Sequence, residues 1–197
     1  MKRYLLVPLL ALGLVVMALP ARAAVITYQA FLSGANEVAP NNSPATGVAI
    51  VIVDDIANLI RIETTFTGLT TNDVAAHIHC CTATPGTGAA GVATAVPAFP
   101  GFPLTVTFGT YDSGFLSLLD PAFYNPAFVT NQAGGSLIGA RNLLVNGLAA
   151  GTTYFNIHTT AFGGGEIRGF LTVPEPVSLS LLGLGLAGVA LKRRRRA

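Results

Sequence analysis

Histidine is scarce in this chain, and lysine is missing from most of it. Only His77, His79 and His158 occur in 197 residues, and every lysine lies in the terminal segments. Between Ala24 and Val173 three arginines (Arg61, Arg141, Arg168) face eight carboxylates, a balance of −5, so the basic character of the whole chain belongs to its ends. A mildly acidic, lysine-free body lacks the electrostatic footprint of a nucleic-acid binder. No apolar run reaches the ~20 residues of an ordinary membrane span. Residues 5–19 and 177–191 are the nearest approach, and at 1.5 Å per residue the second would cover only ~22 Å. There is no Ser-His-Asp order, no phosphate loop, no pair of glycosidase carboxylates and no internal repeat. The sequence therefore predicts no catalytic residues and no enzyme.

What is present begins with the two ends. Lys2 and Arg3, an apolar run over residues 5–19, Pro20 and Ala21-Arg22-Ala23 have the order of a secretory signal peptide cut after Ala23; a retained N-terminal anchor is the alternative. At the other end Pro174-Glu175-Pro176 precedes the apolar segment 177–191 and the basic cluster Lys192-Arg193-Arg194-Arg195-Arg196. That order reads as a short transmembrane helix held by a cytoplasmic positive cluster.

The body, residues 24–173, is long enough for one domain with its own core. Its abundance of Gly, Thr, Ala and Val favours strands. Strands are expected at 25–33, 46–53, 59–66, 73–81, 104–111, 152–159 and 166–173. The β-branched run 46–53 reads as a strand buried on both faces, and 59–66 alternates cleanly as its hairpin partner. Residues 82–103 read as a long surface loop with at most a short strand at 91–96. A short helix beginning with Pro126 is expected after Asn125, and residues 136–148 have helical spacing, with an extended connection as the alternative. The predicted fold is an all-β, antiparallel Greek-key sandwich or barrel with a short helical insertion. A signal helix and a C-terminal transmembrane helix flank it.

The chemistry-bearing residues gather in two of those strands. Residues two apart on a strand share a face, so His77 and His79 in DVAAHIHCC are neighbours, and Cys81 joins them if the strand continues. His158, in TTYFNIHT, adds a third imidazole if its strand packs beside the first. Three His with one Cys suit copper or zinc better than magnesium or calcium. Hydrogen-bonded structural histidines are the competing reading. Cys80 and Cys81 leave several states open. A bridge between adjacent residues would be strained; free thiols, bonds to a second molecule and ligation through Cys81 are the others. Glu166 and Arg168 read as a polar pair orienting His158 or an ion, or as a structural pair closing the glycine turn.

Two stretches of the chain resemble known families. Residues 31–38 (FLSGANEV), 75–79 (AAHIH), 154–159 (YFNIHT) and 165–169 (GEIRG) together resemble the CHRD (chordin-type) domain of exported bacterial proteins, with Cys80-Cys81 standing where the pattern commonly has a small residue. The resemblance implies a β-sandwich or barrel in a non-enzymatic binding or structural role. The tail resembles the PEP-CTERM sorting signal of Gram-negative bacteria. That likeness implies signal peptidase and exosortase as processing partners, a transient stay in the inner membrane, and a destination at the cell surface or in the exopolysaccharide matrix. Polysaccharide or surface proteins are the expected neighbours there. The H-x-H strand is also similar, more distantly, to that of Cu/Zn superoxide dismutase. That enzyme needs six histidines and an aspartate for two metals, so three histidines allow at most a single copper or zinc site.

Overall fold

A computed structural model describes residues 25–175 of the chain. Signal cleavage at Ala23, Pro176 of the sorting motif and the apolar tail helix lie outside the described residues. Seven strands form one antiparallel sheet: β1 (Val25–Ser33), β2 (Thr46–Asp54), β3 (Leu59–Thr67), β4 (Asp73–His79), β5 (Gly109–Ser117), β6 (Tyr154–Thr159) and β7 (Ile167–Phe170). Their order across the sheet is β4-β6-β7-β1-β2-β3-β5. The all-β antiparallel class expected from composition is therefore the observed one.

Each hairpin has a local cause. Asp54 ends β2, and its Oδ1 accepts from the backbone N–H groups of Ile56 and Ala57. Asn58 takes a left-handed φ of 56°, a conformation asparagine tolerates better than most residues. The tight turn sets the register that pairs Val53 with Ile60. On β3 the alternation holds: Ile60, Ile62, Thr64 and Phe66 are buried. β2 differs from expectation. Only Ala49, Val51 and Val53 are fully buried, because among the described residues no layer covers the other face of the sheet at Val48, Ile50 and Ile52.

The chain then crosses the sheet twice, from β3 to the far edge at β4 and back to β5. The returning connection draws the two edges together. The N–H of Asp73 donates to Val106 O, that of Thr105 to Asp73 O, and that of Leu69 to Thr107 O. This engagement of residues 104–107 explains why the strand expected at 104–111 starts only at Gly109. Gly109 itself lies against Phe66, where a Cβ would come 3.0 Å from the ring.

The segment expected as a surface loop, 82–103, is one only in part: residues 83–89 are exposed, but the rest is tied to the sheet. Residues 91–98 pair along the free edge of β4 through isolated bridges at His79–Val92 and Ala76–Ala98. Phe99 and Phe102 then turn into the core. Phe102 stacks on Phe66 of β3 at 5.8 Å and Phe99 on Phe155 of β6 at 6.0 Å, so these two rings bridge the opposite ends of the curved sheet.

Both expected helices form. α1 (Pro126–Asn131) has Asn125 as its N-cap and proline at its first position, and α2 (Leu137–Ala149) is capped by the Ser136 side chain. Ala140, Leu144 and Leu148 of α2 are buried. Its Arg141 holds the β2–β3 turn through Asp55 and Asn58. Gly147 lies against the sulfurs of Cys80 and Cys81, where a Cβ would approach to 2.7 Å.

Candidate metal centre

The register of β4 against β6 assembles the centre. Ala75 pairs with His158, His77 with Asn156 and His79 with Tyr154. Directly opposed residues of an antiparallel pair share a face, so all three histidines lie on one side. Ala76, Ile78, Phe155 and Ile157 fill the core on the other. The row continues through Arg168 of β7, opposite Asn156, to Ser33 of β1.

The three imidazoles are 5%, 7% and 8% exposed at His77, His79 and His158. Their ring centroids are 5.2–5.7 Å apart, and one nitrogen from each lies within 4.8 Å of the others. Backbone carbonyls orient two of the rings: Nδ1 of His79 meets Ala90 O at 2.9 Å, and Nδ1 of His158 meets Gly163 O at 3.0 Å. A proton on each Nδ1 leaves the Nε2 lone pair free, the outer-shell arrangement typical of metal-ligating histidine. The Nε2 atoms of His79 and His158 and both nitrogens of His77 are buried with no hydrogen-bond partner among the described residues. Unsatisfied buried polar atoms are costly, and four in one cluster fit a group that is to be bound there.

Electrostatics favour the ligand form. Burial pushes His77 down to about 3, helped by His158 and His79, with the nearby Pro97 carbonyl opposing. Burial pushes His79 down to about 4, against the Ala90 carbonyl and with His158 and Arg168 adding to the depression. His158 is also lowered, by burial first, with the Gly163 carbonyl opposing. The rings are therefore neutral at physiological pH, as metal ligation requires. Zinc–nitrogen bonds of 2.0–2.1 Å in a tetrahedron separate nitrogens by about 3.3 Å. The histidine nitrogens, all within 4.8 Å of one another, would have to draw in to that spacing.

Residues beyond the histidines complete the corner. Tyr154 stacks on His79 at 4.6 Å with an 8° tilt, and the Arg168 guanidinium lies over the far side of Tyr154, 4.6 Å from its centroid. Residues 88–90 strap this stack: Gly88 O accepts from Arg168, and Ala90 meets the Tyr154 hydroxyl. Arg168 also donates to Asn36 O and lies 3.7 Å from Glu37. Glu37, Asn156, Tyr154 and Arg168 line an adjoining cavity of about 360 Å³. Burial raises the Glu37 carboxyl to about 7, against the pull of Arg168 and Asn156.

Not every candidate joins the centre. Cys81 is bonded to Cys80, and its sulfur lies by Leu143 O, so it is outside the histidine group. Arg168 pairs with Glu37 rather than with Glu166. Glu166 instead accepts hydrogen bonds from Ser43, Thr159 and the Thr70 N–H, tying three connections together. Tyr154 was within reach of sequence reasoning, since it stands four residues before His158 on the same strand face. Glu37 and the strap 88–90 carry no periodic signal.

A model of the CHRD domain matches residues 28–171, and a model of the PEP-CTERM protein-sorting motif matches residues 172–196. No curated protein and no solved structure gives a significant match.

Proposed function

The chain belongs to the CHRD domain family, and from that footing we propose that it is a non-catalytic surface module holding one copper or zinc ion on His77, His79 and His158. Its sorting motif supports exosortase-dependent export and a place at the bacterial cell surface. The finer destination in this reading is the envelope or exopolysaccharide matrix of a Gram-negative cell, after signal peptidase has acted and after a transient stay in the inner membrane.

One observation carries the metal reading: three neutral, buried imidazoles bring nitrogens within 4.8 Å, and the unengaged ones have no hydrogen-bond partner among the described residues. When bound, the ion would supply the missing partner for those lone pairs and tie β4 to β6. The protein's part is to hold the rings. The Ala90 and Gly163 carbonyls fix two tautomers, and Tyr154 under Arg168 keeps His79 from turning away. The test expresses residues 24–173 in an oxidising compartment and measures bound metal by elemental mass spectrometry. About one ion per chain, lost in His158→Ala, is expected. Stoichiometry far below one, unchanged in His77→Ala, would sink the reading.

A further inference from the structure

The charge of the ion is set by what surrounds it. The ligand group contains histidines and no carboxylate. The neighbouring Glu37 faces Arg168 at 3.7 Å, and Arg168 itself lies over the Tyr154 ring that stacks on His79. The bond between Cys80 and Cys81 removes the one thiolate the strand could have offered. The site therefore offers neutral donors and a nearby cation, with no anion among the described residues free to compensate an ion. The cost of moving an ion from water into such surroundings grows with the square of its charge, so a divalent ion costs about four times a monovalent one of equal size.

Coordination number points the same way. Zinc on three histidines completes its tetrahedron with a water or hydroxide, and divalent copper prefers a tetragonal set of four or more ligands. The unpartnered histidine nitrogens are closed to solvent, with the strap 88–90 folded over His79 and Tyr154. Monovalent copper has a filled d shell and accepts three donors without a solvent ligand. Building on the metal reading above, we propose that the resident ion is copper(I), held in a three-coordinate, all-imidazole, solvent-excluded site by His77, His79 and His158.

The test takes the purified exported protein, strips it of metal, and titrates it separately with copper(I) under anaerobic ascorbate against a chromophoric chelator, with copper(II), and with zinc(II). Copper(I) is expected to bind one per chain, at least about tenfold tighter than either divalent ion. The product should be silent in electron paramagnetic resonance and show a three-coordinate X-ray absorption edge. Equal or tighter binding of zinc(II) or copper(II) overturns the copper(I) assignment while leaving the metal site standing. Binding of none of the three overturns both. A second variant tests the charge argument without removing a ligand. Ala75 lies directly opposite His158 on the same face, so Ala75→Asp sets a carboxylate beside the centre and should shift preference toward zinc. An unchanged preference in a folded Ala75→Asp protein would also overturn the assignment.

Discussion

At the residue scale, the buried titratable groups give the protein opposing responses to pH. His77 and His79 protonate in the folded chain only near 3 and 4, against 6.5 when unfolded, and His158 is lowered as well. Between those limits the unfolded chain holds more protons, so the histidine contribution is complete above about pH 6.5 and is lost as pH falls. Glu37 works the other way. Its folded value near 7 lies above the unfolded 4.5, so its contribution is present below 4.5 and disappears as pH rises toward 7. Asp73, also raised by burial against hydrogen bonds from the backbone, acts in the same direction as Glu37, so three imidazoles oppose two carboxyls. The melting temperature of the metal-free protein should therefore fall on acidification from pH 6.5 to 4, and Glu37→Gln should steepen that fall by removing part of the opposing slope. Scanning fluorimetry across that range checks both; a flat profile in the parent protein would contradict the burial argument. Gly165 is a second point of leverage. It sits at φ +127°, and a Cβ there would come within 2.5–2.8 Å of Asn156 and Glu37. Gly165→Ala should cost about 2 kcal/mol or more in urea denaturation, from strain and steric clash together.

At the scale of elements, the segment 82–108 does most to separate this fold from a plain antiparallel sheet. Phe99 meets rings from three other parts of the chain: Tyr111 of β5, Phe123 and Phe155 of β6. Phe99→Ala should lower unfolding free energy by about 3–5 kcal/mol, because the bridge between the sheet ends leaves a void behind. A loss below 1 kcal/mol would mean the ring is not a core element. The same segment shows where sequence reasoning stopped. β1, β3 and both helices were legible because residue period and a proline at a helix start are local signals. The inward turn at Phe99 and Phe102 was not, since residues 91–98 pair through single bridges that leave no alternation to read. The shared face of His77 and His79 followed from strand parity alone. The proximity of His158 could be posed only as a condition, because it depends on β6 inserting beside β4 after a separation of about 80 residues. Cys80-Cys81 was legible as a set of alternatives, and only the packing against Gly147 places it.

At the scale of the whole molecule, the sorting tail leaves the domain from a firm attachment. Thr172 exchanges both backbone hydrogen bonds with Gln29 of β1, and Val173, Pro174 and Glu175 beyond it are exposed. Pro174 and Glu175 are thus accessible while the sheet stays intact. Intact-mass measurement of surface-released protein should find a folded domain without the arginine cluster; full-length protein retained in the membrane would count against processing there. The pairing of Thr172 with Gln29 has one more consequence. From it, the outgoing chain runs antiparallel to β1 toward Val25, so entry and exit share one end of the sheet. The row of Ser33, Arg168, Asn156 and His77 lies eight residues up β1 from Val25, roughly 25 Å away at strand spacing. An attachment made at Glu175 would therefore meet the domain at the end of the sheet remote from the histidine corner, and the two could work without touching.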